Sequence, residues 1–269
     1  MKTRVISGAV LVVIGLAAIF AGGPILAAVL LFCSLSGMYE IYRAVGVIED
    51  GKPLPKAAGV AFAGAAAYYL LIYFTDSTYA LPASSLVITA VLMTYVLTFS
   101  ALSSSQAISV CFGFVYAAVM LSYIYLIRAG ERGLSVVWLV FLSSWIADTC
   151  AYFTGMLLGK HKMSPVLSPK KTIEGAVGGV VGSALSGVIF AAVVEKGTYI
   201  WQFALICAVG AVISIFGDLA ASAIKRDNGI KDYGKLIPGH GGILDRFDSV
   251  IFTAPGIYFL SLILIRTAL

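Results

Sequence analysis

The chain has 269 residues, of which 60% are hydrophobic and 12% are charged, and its formal net charge is +5. Its mean hydropathy of +1.00 excludes a soluble domain of this length, because too few polar residues remain to cover the surface of such a domain. We therefore expect the lipid bilayer to be the main solvent of this protein, and we expect no nucleic-acid partner.

Long apolar runs divide the chain into membrane-spanning segments. A helix needs about 20 mainly apolar residues to cross a bilayer, and the runs are continuous rather than alternating, which favours helices over a β-barrel. The sequence thus predicts an all-α, polytopic integral membrane protein with nine transmembrane helices. Their predicted extents are 5–21, 24–46, 59–75, 83–100, 107–128, 134–159, 171–194, 199–224 and 243–267.

Basic residues are distributed unequally between the two sides of these helices. Of the 18 Lys and Arg residues, 14 lie on the side of the N-terminus, so the positive-inside rule places that side in the cytoplasm. Few polar groups other than Glu40 occur in the first five helices. We therefore interpret 1–80 (helices 1 to 3) as scaffold, 81–133 as helices 4 and 5, and 134–269 as the catalytic part, with helices 6 to 9 and their cytoplasmic loops.

Two aspartates lie inside otherwise apolar predicted helices. An ionised carboxylate costs about 2.5 to 3.5 kcal/mol at the centre of a spanning helix, so Asp148 and Asp218 require a cationic partner. Each follows a serine by four residues, Ser144 and Ser214, and this weak internal echo predicts two similar hairpins that face one site.

The segment from Ser222 to Asp248 has the composition of a phosphate and metal site. It contains several cations that suit phosphate oxygens, and glycines that let backbone N–H groups approach an anion before helix 9. Asp245 and Asp248, three residues apart, present two hard oxygen ligands of the kind that Mg2+ prefers. The alternative for these two residues is complementation of the helix dipole. His240 is left open between a structural hydrogen bond, phosphate orientation and a proton shuttle.

A second polar cluster precedes helix 7. Ser168 as N-cap and Pro169 at the first helical position predict a helix start whose positive end faces the cytoplasm. Lys170 and Lys171 would add charge there, although the cap by itself indicates structure as much as anion binding. The glycines on both sides of this loop, from Gly155 to Gly182, are typical of close helix packing in lipid.

The segment that begins at Ser222 also resembles the signature of the phosphatidate cytidylyltransferase (CDP-diacylglycerol synthase) family, bacterial type. Every specified position of this 27-residue pattern is filled, by Ser222, Lys225, Arg226, Lys231, Asp232, Gly234, Ile237, Pro238, His240, Gly241, Gly242, Asp245, Arg246 and Asp248. The stretches around Asp148 and from Ser168 to Gly175 are similar to the bacterial members as well.

The resemblance implies a membrane nucleotidyltransferase that converts CTP and phosphatidic acid into CDP-diacylglycerol and pyrophosphate, with Mg2+ as cofactor. Whether one cation or two are bound, and whether the chain forms a homodimer, is left open. The implied metal ligands are Asp218, Asp245 and Asp248. The implied catalytic residues are Asp148, Asp218, Lys225, His240 and Asp245. The implied substrate-binding residues are Lys170, Lys171, Ser222, Lys225, Arg226, Lys231, Asp232, Gly241, Gly242 and Arg246.

Two other functions fit parts of the sequence. An ion-coupled transporter would use intramembrane aspartates, but it predicts acidic groups near the midplane of several helices rather than at one interface. A CTP-dependent polyprenol or lipid kinase is chemically nearer. In a cytidylyltransferase the lipid substrate attacks the α-phosphorus of bound CTP, whereas a lipid kinase transfers the γ-phosphate. We expect the protein in the bacterial inner membrane, with its N-terminus and active-site loops in the cytoplasm.

Overall fold

A computed structural model describes residues 2–75, 77–237, 239 and 241–265 of the chain. The helices within these residues are α1 (Lys2–Ala21), α2 (Gly23–Ala44), α3 (Lys56–Thr75), α4 (Ala80–Leu97), α5 (Ser104–Ala129), α6 (Gly133–Leu158), α7 (Ile173–Val194), α8 (Ile200–Asp227) and α9 (Leu244–Leu264). Two short strands, β1 (Lys162–Ser164) and β2 (Ser168–Thr172), form an antiparallel hairpin between α6 and α7.

The helices confirm the predicted all-α membrane architecture. Among the described residues, eight helices, α2 to α9, are long and apolar enough to cross a bilayer. The first predicted segment corresponds to α1, whose apolar stretch Ser7–Ala21 is shorter than the other spans. Each predicted segment therefore has a helix, and the count of nine membrane-spanning helices is approximate.

The chain forms two compact units. The first comprises the residues up to Ala129 together with Asn228–Arg246, and the second comprises Gly130–Asp227 and the chain from Phe247 onward. The first unit thus contains α1 to α5, the loop after α8 and the first turn of α9. The second contains α6 to α8, the hairpin and the rest of α9. The three-part functional division expected from the sequence stays a prediction.

Buried tyrosines hold the helices of the first unit together. The hydroxyl of Tyr42 on α2 donates to the carbonyl of Val110 on α5 at 2.8 Å, and Tyr68 on α3 bonds Ser122 on α5 at 2.9 Å. Both rings are almost fully buried. Hydrogen bonds between helices in lipid contribute about 0.6 kcal/mol each, so the fit of these large side chains is the greater contribution to packing.

Glycines bring α6 and α7 of the second unit close together. A Cβ atom on Gly175 would lie 2.8 Å from the carbonyl oxygen of Ala151, and one on Gly179 would lie 2.8 Å from that of Ala147. Real Cβ atoms do not approach backbone oxygens so closely, so these sites require glycine. The prediction that this stretch serves close helix packing is confirmed.

The predicted start of helix 7 at Ser168 is wrong. Ser168 lies in β2, and α7 begins at Ile173, where the side chain of Thr172 accepts a hydrogen bond from the N–H of Gly175 at 3.1 Å. The segment instead pairs with β1 in the hairpin, and Thr172, directly before Ile173, supplies the cap that Ser168 was expected to supply. At the start of α7, Glu174 accepts the N–H groups of Lys160 and His161.

Candidate active site

Three aspartates of the second unit come from three different helices and act on one another. Asp148 on α6 and Asp248 on α9 both interact electrostatically with Asp218 on α8, and they also interact with each other. Their mutual repulsion raises the free energy of the fully ionised cluster, so the cluster attracts cations. The prediction that Asp148 and Asp218 face one site is therefore supported by their proximity, and Ser144 and Ser214 are both fully buried behind them.

Two lysines offset part of this negative charge. Lys171, the fourth residue of β2, forms an ion pair with Asp218 and also interacts with Asp148. Lys225 on α8 interacts with Asp248. About a quarter of each side chain of the Lys171–Asp218 pair is exposed, at 26% and 27%, so an incoming ligand can reach both groups.

The donor atoms of this cluster suit a hard cation. Carboxylate oxygens are the usual protein ligands of Mg2+, which commonly takes one or two of them and completes its shell with water and substrate phosphates. In the part of the chain that the structure describes, no three His, Cys, Asp or Glu side chains form a group that could hold a metal by themselves. The metal roles predicted for Asp218 and Asp248 therefore stay predictions.

The first unit contains the glycine-rich loop between α8 and α9. Asp245, on the first turn of α9, is buried, and its Oδ2 accepts the N–H groups of Tyr233 at 2.8 Å and Gly242 at 2.9 Å. The N–H of Ile237 donates to the carbonyl of Gly241, whose φ of +89° is a conformation that glycine adopts without strain. The loop is thus closed by its own backbone and by one carboxylate oxygen.

A second carboxylate, Glu40 on α2, reaches the same loop. Its Oε1 accepts the N–H of Ile243 and its Oε2 accepts the N–H of Leu244, both at 2.9 Å. The sequence predicts a scaffold role for this part of the chain and does not indicate the contact. An acidic residue in an apolar helix was the available signal, because such a residue normally has a specific partner.

A cavity of about 500 Å³ lies in the first unit between α2 and the glycine-rich loop. Its walls combine apolar side chains with hydroxyl groups and cations, and they include Phe32, Leu35, Ser36, Tyr39, Glu40, Arg43, Tyr233, Gly234, Lys235 and Leu236. Glu40 and the loop residues therefore both line this cavity.

A family model described as the cytidylyltransferase family matches residues 2–264. The chain belongs to this family. The family model extends over almost the whole chain, including both the aspartate cluster and the glycine-rich loop. The resemblance inferred from the Ser222–Asp248 signature is thereby confirmed at the level of the family.

Curated relatives carry the name phosphatidate cytidylyltransferase. The chain is 42% identical over 151 residues to the Staphylococcus epidermidis protein, which is 56% of this chain and 57% of that protein. It is 42% identical over 139 residues to the Staphylococcus saprophyticus protein (52% and 54%), and 39% identical over 154 residues to the Staphylococcus aureus protein (56% and 57%). The chain thus spans a little over half the length of the curated relatives it matches.

The predicted site residues of this family member are divided between the two units. The second unit holds Asp148, Lys170, Lys171, Asp218, Ser222, Lys225, Arg226 and Asp248. The first unit holds Lys231, Asp232, Gly241, Gly242, Asp245 and Arg246. Within the second unit the structure brings the aspartates together with Lys171 and Lys225, whereas Lys170 and Arg226 are exposed.

The structure bears on some of the roles predicted for the glycine-rich loop and leaves others as predictions. Gly242 directs its N–H to Asp245, and the first N–H groups of α9 are bonded to Glu40, so an internal carboxylate occupies the anion position predicted for a phosphate. The metal role of Asp245 stays a prediction, since its observed bonds are to the backbone. His240 and Pro238 lie outside the described residues.

Proposed function

We propose that the chain is a CTP:phosphatidate cytidylyltransferase that forms CDP-diacylglycerol and pyrophosphate in phospholipid biosynthesis. The observation that carries the proposal is the group of three aspartates from three helices, with Lys171 and Lys225 beside them, in a member of the cytidylyltransferase family. The names of the staphylococcal relatives support phosphatidate as the lipid substrate.

The reaction joins two anions, which explains the need for positive charge. An oxygen of the phosphatidate monoester attacks the α-phosphorus of CTP, a new P–O–P bond forms, and the bond to the β-phosphate breaks to release pyrophosphate. Negative charge builds up on the leaving group, so cations at fixed positions supply most of the stabilisation. Lys171 and Lys225 take this role in the second unit, and Lys231 and Arg246 are the candidates on the loop of the first unit.

Mg2+ is the cofactor of the proposed reaction. Asp218 and Asp248 would hold it, with Asp148 beside them, because the three carboxylates interact electrostatically and the remaining ligands would come from water and phosphates. When bound, the metal would neutralise phosphate charge and make the α-phosphorus more electrophilic. Lys171 would then exchange its ion pair with Asp218 for contacts with the substrate phosphates.

The membrane setting fits a lipid substrate. Phosphatidate keeps its acyl chains in the bilayer while its phosphate reaches polar groups at the interface. The excess of Lys and Arg on the N-terminal side supports a cytoplasmic location for that side, where CTP is available. The bacterial relatives support a bacterial membrane as the location, and we place the protein in the inner (cytoplasmic) membrane.

Product analysis tests this proposal against its rivals. The purified protein is incubated in mixed micelles with Mg2+, phosphatidate and CTP labelled in either the cytosine or the γ-phosphate. We expect the cytosine label in the lipid and the γ-label in pyrophosphate, with little product from ATP, GTP or UTP. A γ-labelled polyprenol phosphate would instead identify a lipid kinase. If neither product forms, both transferase activities are contradicted.

A further inference from the structure

Glu40 is a buried acid on a helix to which neither the family signature nor the proposed reaction assigns a task. The residue is only 5% exposed. Both of its carboxylate oxygens accept backbone N–H groups from a segment some 200 positions later in the sequence. Burying a carboxylate costs free energy unless strong hydrogen bonds compensate, and bonds to a charged acceptor are about twice as strong as neutral ones. The two bonds therefore tie α2 to the start of α9.

The start of α9 needs this help. The first N–H groups of any helix have no partner within the helix, and a Ser, Thr, Asp or Asn side chain at the N-cap usually satisfies one of them. Here the residue before Leu244 is Ile243, which has no side-chain acceptor. Glu40 supplies the missing acceptor from another helix and also places a negative charge at the positive end of the helix dipole.

Two signature glycines make room for this carboxylate. A Cβ atom on Gly234 would lie 2.7 Å from the Oε1 of Glu40, and a Cβ atom on Gly242 would come closer still. A side chain at either position would displace the carboxylate or the loop. These glycines are thus explained by an acid inside the protein rather than by the approach of a substrate phosphate.

Asp245 also accepts hydrogen bonds from the backbone of this loop. Its Oδ2 holds the N–H groups of Tyr233 and Gly242, while Glu40 holds those of Ile243 and Leu244. Two carboxylates thereby take four backbone donors from one loop. Both acids are buried and interact unfavourably with each other, so the loop backbone is what makes their proximity possible.

We propose that Glu40 is a positioning residue of the transferase, which fixes the glycine-rich loop and the start of α9 so that the loop cations Lys231 and Arg246 are held in place. This inference rests on the proposed function for its catalytic consequence, but not for its structural one. Glu40 acts through the loop backbone and does not contact the substrates.

Hydrogen exchange tests the structural consequence without any substrate. Glutamine in Glu40→Gln has one oxygen, so one of the two N–H groups would face the amide NH2 and lose its acceptor. We expect the amides of Ile243 and Leu244 to exchange at least about tenfold faster in this variant, with unchanged exchange in α7 and α8. Glu49→Gln, which alters an exposed acid paired with Lys52, is the matched control.

Turnover tests the catalytic consequence. We expect kcat per folded molecule to fall at least about tenfold in Glu40→Gln, because one buried donor is left unpaired in the loop. Gly234→Ala should cause a similar loss by pushing on the same carboxylate, and the double variant should be little worse than either single one. Gly59→Ala is the control for the glycine change, since the nearest atom to its added Cβ is 3.8 Å away.

Different failures have different meanings. Wild-type exchange and turnover in Glu40→Gln would overturn the inference while leaving the proposed function intact. Faster exchange throughout both units, with an unchanged kcat per folded molecule, would also overturn it, because Glu40 would then support general stability. A wild-type protein that makes no cytidine-bearing lipid, but whose Glu40→Gln variant exchanges faster at Ile243 and Leu244, would remove the proposed function and keep the positioning of the loop.

Discussion

The two units use buried or half-buried carboxylates in different ways. In the first unit, Glu40 and Asp245 direct their oxygens to backbone N–H groups. In the second unit, Asp218 faces other carboxylates and a lysine side chain. The functional group is a carboxylate in both units, and its partners differ. An acid bonded to the backbone holds a segment in place, whereas an acid paired with movable cations can exchange those cations for a metal or a substrate.

Asp218→Asn is expected to have the largest effect on activity. The substitution keeps the size of the side chain but removes the charge at the centre of the aspartate cluster. Loss of one fixed electrostatic group in an active site lowers kcat by about a hundredfold to a thousandfold. Initial rates at saturating CTP and phosphatidate, with a thermal melt to verify folding, measure this effect.

Asp227→Asn is the control for this change, since Asp227 is exposed at the end of the same helix, α8. Equal losses in the two variants would indicate that the position within the cluster has no special importance. Retained Mg2+-dependent turnover in Asp218→Asn would remove Asp218 from the proposed metal site.

Lys171→Met tests whether the aspartates depend on their lysine. Breaking a fully buried ion pair costs about 3 to 5 kcal/mol, but both partners here are about a quarter exposed, so we expect a loss of about 1 to 2 kcal/mol in the free energy of unfolding. Denaturant titration in detergent measures it. The exposed Lys162 of β1 provides the control as Lys162→Met. An increase in stability would show that Lys171 is not the partner that the cluster requires.

Asp245→Asn separates the two uses of a carboxylate. An asparagine carbonyl oxygen can still accept the N–H groups of Tyr233 and Gly242, so an acid that serves the backbone should tolerate this change better than Asp218 does. We expect kcat to fall about tenfold or less, since bonds to a charged acceptor exceed neutral ones by about 1 kcal/mol. A loss as large as that of Asp218→Asn would instead indicate that Asp245 acts through its charge, as the metal prediction requires.

Lys52→Ala is expected to have the smallest effect. Lys52 pairs with Glu49 at 2.6 Å, but both side chains are at least half exposed. Water screens such a pair, and pairs three residues apart contribute about 0.5 kcal/mol or less. Unfolding free energy and turnover should both match the wild type within error. A loss comparable to that of Lys171→Met would mean that burial is not what distinguishes the two pairs.

The sequence predicts the parts of this molecule that depend on local pattern. Continuous apolar runs correspond to helices in the structure. Asp148 and Asp218 are found near each other, as the echo of Ser-x-x-x-Asp suggested. These features follow from the burial of apolar surface and from helical periodicity, which a single sequence displays directly.

Other features depend on contacts that the sequence does not display. The contact of Glu40 with α9 joins residues that are more than 200 positions apart, and no periodicity links them. The pair Ser168-Pro169 has the local chemistry of a helix start, yet pairing with β1 outweighs it and Thr172 becomes the cap. Local propensity is a weak guide where pairing with a segment elsewhere in the chain competes with it.

The glycine contacts between α6 and α7 have a mechanical implication. At Gly175 and Gly179 the backbones of the two helices approach closely, and small side chains such as Thr154 and Cys150 fill the remaining space, so few atoms can repack if one helix slides past the other. We therefore expect α6 and α7 to move together as one rigid body. Any motion that the proposed reaction requires is therefore expected in segments other than α6 and α7.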